Sequence, residues 1–296
     1  MTERLLNTPK GVIHYWVGGT REGTPLVFLP GLTADHRLFR FQLEQFEKTN
    51  PVLVWDAPGH GASRPFTLDF TLMDKAGWLE EILDREEPFR RPVLVGQSMG
   101  GYLSQCFLQR CPGRARGFVC IDSAPLQRSC YTAAELWMLK HCETMYRCYP
   151  WEALVKAGSD GCATSAQGRA LMREMLADYQ SREYARLAGH GFRMLAEAVE
   201  QNLPYRLDCP TLLLCGERDQ AGFTRRYNRN WEKRTGIPVL WVPGAGHNSN
   251  TDAPKFVNDA IKHFIGEGAE RGSARLRGVH AEGPLAADSV CVVTIL

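Results

Sequence analysis

The sequence predicts an α/β fold: a mostly parallel, doubly wound sheet with helices on both faces and an inserted helical cap. Three observations predict it. Short apolar or β-branched runs bounded by Pro and Gly recur along the chain, helix-like stretches separate them, and one long stretch, 125–204, shows helical periodicity and no strand.

The first apolar run is 25–29, with helical spacing following at 38–46. The second, 52–55, precedes a helical stretch at 72–83; the third, 93–95, leads into 102–108; the fourth is 118–121. Beyond the insertion come runs at 211–215 and 239–242 and a last helix over 254–265. Continuous apolar runs, as opposed to alternating ones, mark strands covered on both faces. Within the insertion Leu171, Met172, Met175 and Tyr179 recur at helical spacing, as do Tyr184, Leu187, Leu195 and Val199. The expected division is a core of 1–124 with 205–266, a helical cap at 125–204 and a C-terminal tail at 267–296. The tail mixes Gly, Ala and charge and is expected to be mobile, although 290–296 is apolar enough to join a sheet edge.

Composition excludes several classes. Lys and Arg total 35 against 33 Asp and Glu, a net charge of +2, which gives no long-range attraction for nucleic acid or an anionic membrane. The N-terminus has Glu3 and Arg4 at its start and never offers the uninterrupted apolar core of a signal peptide, and no run is long enough to span a bilayer. A soluble cytoplasmic protein is expected, monomer or homodimer, acting on a small molecule, with its ten cysteines reduced. There is no C-x-x-C pair and no H-E-x-x-H, so a metal site is not indicated. His14, His141, His263 and His280 stand among non-ligand residues and are given no role.

The strongest motif is Gly96-Gln97-Ser98-Met99-Gly100-Gly101, between the run at 93–95 and a helix. G-x-S-x-G arises by chance in roughly one chain in ten of this length. Its placement raises its weight: a serine on a sharp strand-to-helix turn needs small residues two positions either side. Leu29-Pro30-Gly31-Leu32-Thr33 follows the first run, and the backbone N–H groups of Leu32 and Met99 are candidates for holding an oxyanion. Gly216-Glu217-Arg218-Asp219 offers a carboxylate, and Gly244-Ala245-Gly246-His247-Asn248 offers a histidine on a loop of small residues. Each has a dull explanation alone. Their order, and their common position at the C-terminal ends of strands, do not.

With these residues in place the chain resembles the α/β-hydrolase superfamily, in its branch of small esterases and lactonases, over roughly 11–265. Asp56-Ala57-Pro58-Gly59-His60-Gly61-Ala62-Ser63 resembles that family's structural D-x-P-G-x-G-x-S turn, which makes His60 a packing residue. Where many members carry His-Gly in the oxyanion loop this chain has Pro30-Gly31, a change that spares the backbone donors.

The expected chemistry is acyl transfer: Ser98 as nucleophile, His247 as general base, Asp219 orienting the histidine, and Leu32 and Met99 binding the oxyanion. This chemistry requires no metal or organic cofactor. The substrate is expected to be a largely apolar ester, lactone or thioester, received by Trp137, Met138, Met145, Tyr146, Met172, Met175 and Met194. Asp122 competes with Asp219 for the role of acid; its alternative is to cap the entry to the insertion. Asp35 and His36 face either the pocket or solvent, with solvent favoured, and Arg225, Arg226, Arg229, Lys233 and Arg234 either recognise an anionic group such as a phosphate or, as favoured, form a solvated helix face. The same residues also suit carbon–carbon bond hydrolysis, acyl transfer or peracid formation. A non-catalytic ligand receptor on this fold is disfavoured by the intact Ser98, Asp219 and His247.

Overall fold

A computed structural model describes residues 1–267. In chain order the elements are β1 (Thr2–Thr8), β2 (Gly11–Gly19), β3 (Leu26–Leu29), α1 (Arg40–Phe46), β4 (Pro51–Trp55), α2 (Leu72–Arg85), β5 (Val93–Gln97), α3 (Met99–Arg110) and β6 (Gly117–Ile121). Four long helices follow: α4 (Ala133–Cys148), α5 (Trp151–Cys162), α6 (Ala166–Leu176) and α7 (Ser181–Glu200). The chain then returns through β7 (Thr211–Gly216), α8 (Thr224–Thr235), β8 (Val239–Val242), α9 (Ser249–Asp252) and α10 (Pro254–Glu267). The C-terminal tail, including the apolar 290–296, lies outside the described residues.

The strands form one sheet in the order β1-β2-β4-β3-β5-β6-β7-β8, parallel from β4 to β8 and antiparallel at β1–β2 and β2–β4. Every residue of β3, β4, β5 and β6 is buried, as their continuous apolar sequences require. Side chains alternate between two cores. Val27, Leu29, Leu53 and Trp55 pack with Leu79 of α2, Phe107 of α3 and Trp231 of α8. Leu26, Phe28, Val52 and Val54 pack with Phe46 of α1 and Ile261 of α10.

The hairpin β1–β2 has no counterpart in the sequence reading. In β1 only Leu6 is buried, and in β2 only Ile13 and Tyr15, so the apolar signal of a one-faced edge is too sparse to stand out.

Helix starts are set by short polar signals. Thr71 and Asp74 form a reciprocal capping box at α2, and Thr132 and Glu135 form another at α4. The chain runs from β3 outward to β4 and then back across to β5. That reversal opens a crevice at the C-terminal ends of β3 and β5, where doubly wound sheets bind ligands. Among the described residues, no helix is long and apolar enough to cross a membrane.

Candidate active site

Ser98 joins β5 to α3 with φ 49° and ψ −115°. A non-glycine residue held there stores about 1–3 kcal/mol of strain, which surrounding packing must sustain. The packing is close: a Cβ on Gly100 would lie 1.8 Å from the Leu29 carbonyl oxygen, and one on Gly96 would lie 2.4 Å from the Gly100 oxygen. Both glycines are therefore demanded by the turn. The turn lifts the hydroxyl out of the sheet, and Ser98 lines a cavity of about 190 Å³ between the strand ends and the helical insertion.

His247 Nε2 lies 2.8 Å from Ser98 Oγ, and its Nδ1 lies 2.9 Å from Asp219 Oδ2. A carboxylate accepts only, so Nδ1 carries the proton and Nε2 is left to accept from the serine hydroxyl. Asp219 is itself held by the Ala221 N–H at 2.8 Å on its other oxygen. Burial presses the imidazole toward neutrality, but the Asp219 charge, the hydrogen bond to it and the charge of Asp122 outweigh burial, and the His247 pKa rises above its ordinary 6.5.

The His247 loop is pinned from three sides that the sequence motifs did not disclose. Gln97 Nε2 donates to the His247 carbonyl at 2.8 Å and to Asn248 Oδ1 at 3.1 Å. Asp252 accepts the Gly246 N–H at 2.8 Å and that of Thr164 in the insertion at 2.9 Å. Asp122, fully buried with φ 49°, accepts the N–H of Gly216 and of Ser249. Asp122 thus neither touches His247 nor caps the insertion; it ties the acid loop to the segment after the histidine. Gln97 lies inside the serine motif, which was the available signal. Asp252 carried none.

Leu32 and Met99 line the cavity beside Ser98. Met99 is the first residue of α3, so its N–H has no acceptor within the helix. The loop bearing Leu32 sits close: a Cβ on Gly31 would lie 3.1 Å from that of Ser98. Asp56 of the structural turn fixes this loop, accepting from the His36 N–H at 2.7 Å and from Ala62 N–H at 2.7 Å. Asp35 corrects the expectation of exposure: it is 3% exposed and bound by the Arg37 guanidinium, which also reaches Glu174 and Asp178 of the insertion. His60 is buried away from the cavity lining, and burial with the Lys75 charge lowers its pKa to about 3.

Of the expected pocket residues, Met138, Tyr146 and Met172 line the cavity. Four do not. Trp137 is 63% exposed on the outer face of α4, stacked on His141, and Met145 is exposed two turns further along. Met175 is fully buried in the core cluster that the insertion shares with the sheet, and Met194 faces a separate small crevice beside α2. Helical spacing marks the residues that avoid water, not the side of a helix that meets a ligand. The actual lining adds Leu154, Ala188, Phe192 and Leu195, together with Tyr102, Tyr131, Phe223 and Tyr227. Arg226 likewise departs from a purely solvated face: it pairs with Glu135 and lies over the Phe223 and Tyr227 rings.

Among the described residues, two groups bring three potential metal-ligand atoms within 4.8 Å: Asp35, His36 and Asp56, and Asp122, Cys215 and Asp219. The carboxylates of both already accept hydrogen bonds from protein donors.

The sequence pattern of the Alpha/beta hydrolase family matches residues 26–260. An (E)-2-((N-methylformamido)methylene)succinate hydrolase of Acinetobacter baylyi is 35% identical over 92 residues, 31% of this chain and 34% of that one. The aligned stretch thus spans about a third of that relative. A thermophilic esterase from Thermogutta terrifontis shares the fold with a TM-score of 0.72 at 20% identity, over 90% of this chain and 99% of that one. An enol-lactonase from Burkholderia xenovorans LB400 does so with a TM-score of 0.73 at 20% identity, over 89% and 100%.

Proposed function

Because the chain belongs to the alpha/beta hydrolase family, we propose that it is a serine hydrolase that cleaves a carboxylic ester, lactone or thioester of a small to medium, largely apolar substrate. The observation that carries this reading is the continuous contact from Ser98 Oγ through His247 to Asp219 at 2.8 and 2.9 Å. The esterase and enol-lactonase of the same fold are consistent with it.

In the mechanism, His247 Nε2 takes the Ser98 proton as the oxygen attacks the substrate carbonyl. The Asp219 carboxylate stabilises the imidazolium that forms and keeps its Nδ1 proton in place. The Leu32 and Met99 N–H groups receive the oxyanion, donors whose individual removal in such sites costs about 2.7–4 kcal/mol of barrier. Protonated His247 then donates to the departing alcohol, and the acyl group remains on Ser98. Water, deprotonated by the same imidazole, releases it. The helical insertion acts as a cap that walls off the cavity with Met138, Leu154 and Met172, which suits an apolar substrate.

The test is hydrolysis of a panel of aryl esters, thioesters and lactones of graded chain length by the wild type and by Ser98→Ala. Turnover of at least one class that vanishes in Ser98→Ala is expected. Turnover that survives the substitution, or none with any class, rules the reading out.

A further inference from the structure

The cavity wall is chemically uneven. Leu154, Met172 and Ala188 belong to one packed cluster and present hydrocarbon. Tyr102, Tyr131 and Tyr227 line another stretch, packed with the opposite core, with the Tyr131 and Tyr227 rings 4.8 Å apart. Tyr102 lies one helical turn beyond Ser98, so this stretch adjoins the nucleophile.

The hydroxyls of Tyr102 and Tyr131 are 3.0 Å apart. Two phenols carry two O–H protons, and the bond between them spends one. Among the described residues neither hydroxyl has another hydrogen-bonding partner. Burial raises both phenols above their ordinary pKa, so neither gives up its proton at neutral pH. One O–H donor of this partly buried pair is therefore unspent, on two residues that both line the cavity.

Resting on the ester-hydrolase reading above, we infer that the Tyr102–Tyr131 pair is a recognition subsite for a second oxygen on the substrate, one beyond the scissile ester. The substrate class is an ester or lactone bearing a neutral keto, ether or additional carbonyl oxygen. Charge selects neutral over anionic oxygen. Glu135 lines the same stretch. Burial opposes its charge, but its bonds from Thr132 and Arg226 prevail and keep the carboxyl below its ordinary pKa. A substrate carboxylate would meet that charge, and Arg226 beside it is already committed to Glu135.

The experiment compares isosteric esters with one common leaving group: 4-nitrophenyl oxoalkanoates with the keto carbon at position 4, 5 or 6 against the matching methyl-branched alkanoates. Rates are corrected for spontaneous hydrolysis. At least one oxygen-bearing member is expected to exceed its carbon isostere by about 10-fold in kcat/KM. The ratio should shrink in Tyr131→Phe and approach unity in the double variant Tyr102→Phe, Tyr131→Phe. The ratio within one protein is insensitive to losses of folded enzyme, which separates recognition from a purely structural role of the rings. Carbon esters hydrolysed as fast as every oxygen-bearing partner, or a preference that survives in Tyr131→Phe and the double variant, overturns the subsite while leaving the hydrolase reading intact. Hydrolysis of no ester overturns both.

Discussion

The Asp122 carboxylate accepts the backbone N–H of Gly216 at 2.7 Å, and with its other oxygen that of Ser249 at 2.9 Å. One buried side chain thereby holds the loop that carries Asp219 and the segment that follows His247. Asp122→Asn places an amide donor against one of those N–H groups, so unfolding free energy should fall by about 1–3 kcal/mol. The His247–Asp219 contact is untouched by that change. Asp219→Asn should instead lower kcat by about 10⁴-fold with KM little altered, because the histidine loses its tautomer. Steady-state kinetics and urea unfolding of both variants check this. A severe kcat loss in Asp122→Asn beside near-normal Asp219→Asn would move the acid to the end of β6.

The pH profile follows from the His247 pKa. His247 must be neutral to accept the Ser98 proton, so kcat/KM falls as pH drops through the imidazole pKa of the free enzyme. Burial lowers that pKa, but Asp219 and Asp122 outweigh it, which places the acid limb above the ordinary 6.5. In Asp219→Asn the opposing charge is gone, burial acts with less opposition, and the limb should move to lower pH. Profiles of kcat/KM from pH 5 to 9 on one aryl ester read both positions. A limb that stays put in Asp219→Asn would show that this carboxylate does not set the imidazole charge.

Cavity shape gives a third expectation. Met172 lines the cavity, and its Sδ lies 3.7 Å from the Asn248 amide nitrogen beside His247. Met172→Ala should enlarge the pocket and shift the preferred acyl chain toward greater length. Trp137→Ala removes a side chain that is 63% exposed and should leave chain-length preference as it was. An unchanged preference in Met172→Ala, or a shifted one in Trp137→Ala, would place the acyl pocket elsewhere.

What could be read from the sequence was local, and what could not was mostly long-range. The strands β3 to β7 announced themselves because burial on both faces makes them almost continuously apolar, and β8 did so by an apolar run even though Leu240 and Trp241 are only half-buried at the sheet edge. The first hairpin did not, since Leu6, Ile13 and Tyr15 are its only buried apolar anchors. Ser98, Asp219 and His247 were legible because each sits in a glycine-rich turn at a strand end. Asp122 looked like a helix cap because only Ser123-Ala124-Pro125 follows it in sequence; its true partners are 94 and 127 residues away. Asp35 was misplaced at the surface for a similar reason: Arg37, which binds it, is anchored by insertion residues 137 and 141 positions on. Met172 and Met175 are both buried three residues apart on α6, yet only the first lines the cavity, a distinction periodicity cannot draw.

The central claim is that Ser98 is a nucleophile activated by His247. Its most direct measurement is reaction with a fluorophosphonate probe, read by intact mass and peptide mapping, because an unactivated serine does not react. One adduct per chain on Ser98 is predicted, absent in Ser98→Ala and strongly slowed in folded His247→Gln. No adduct on the wild type, or an adduct that persists in Ser98→Ala, would contradict the account.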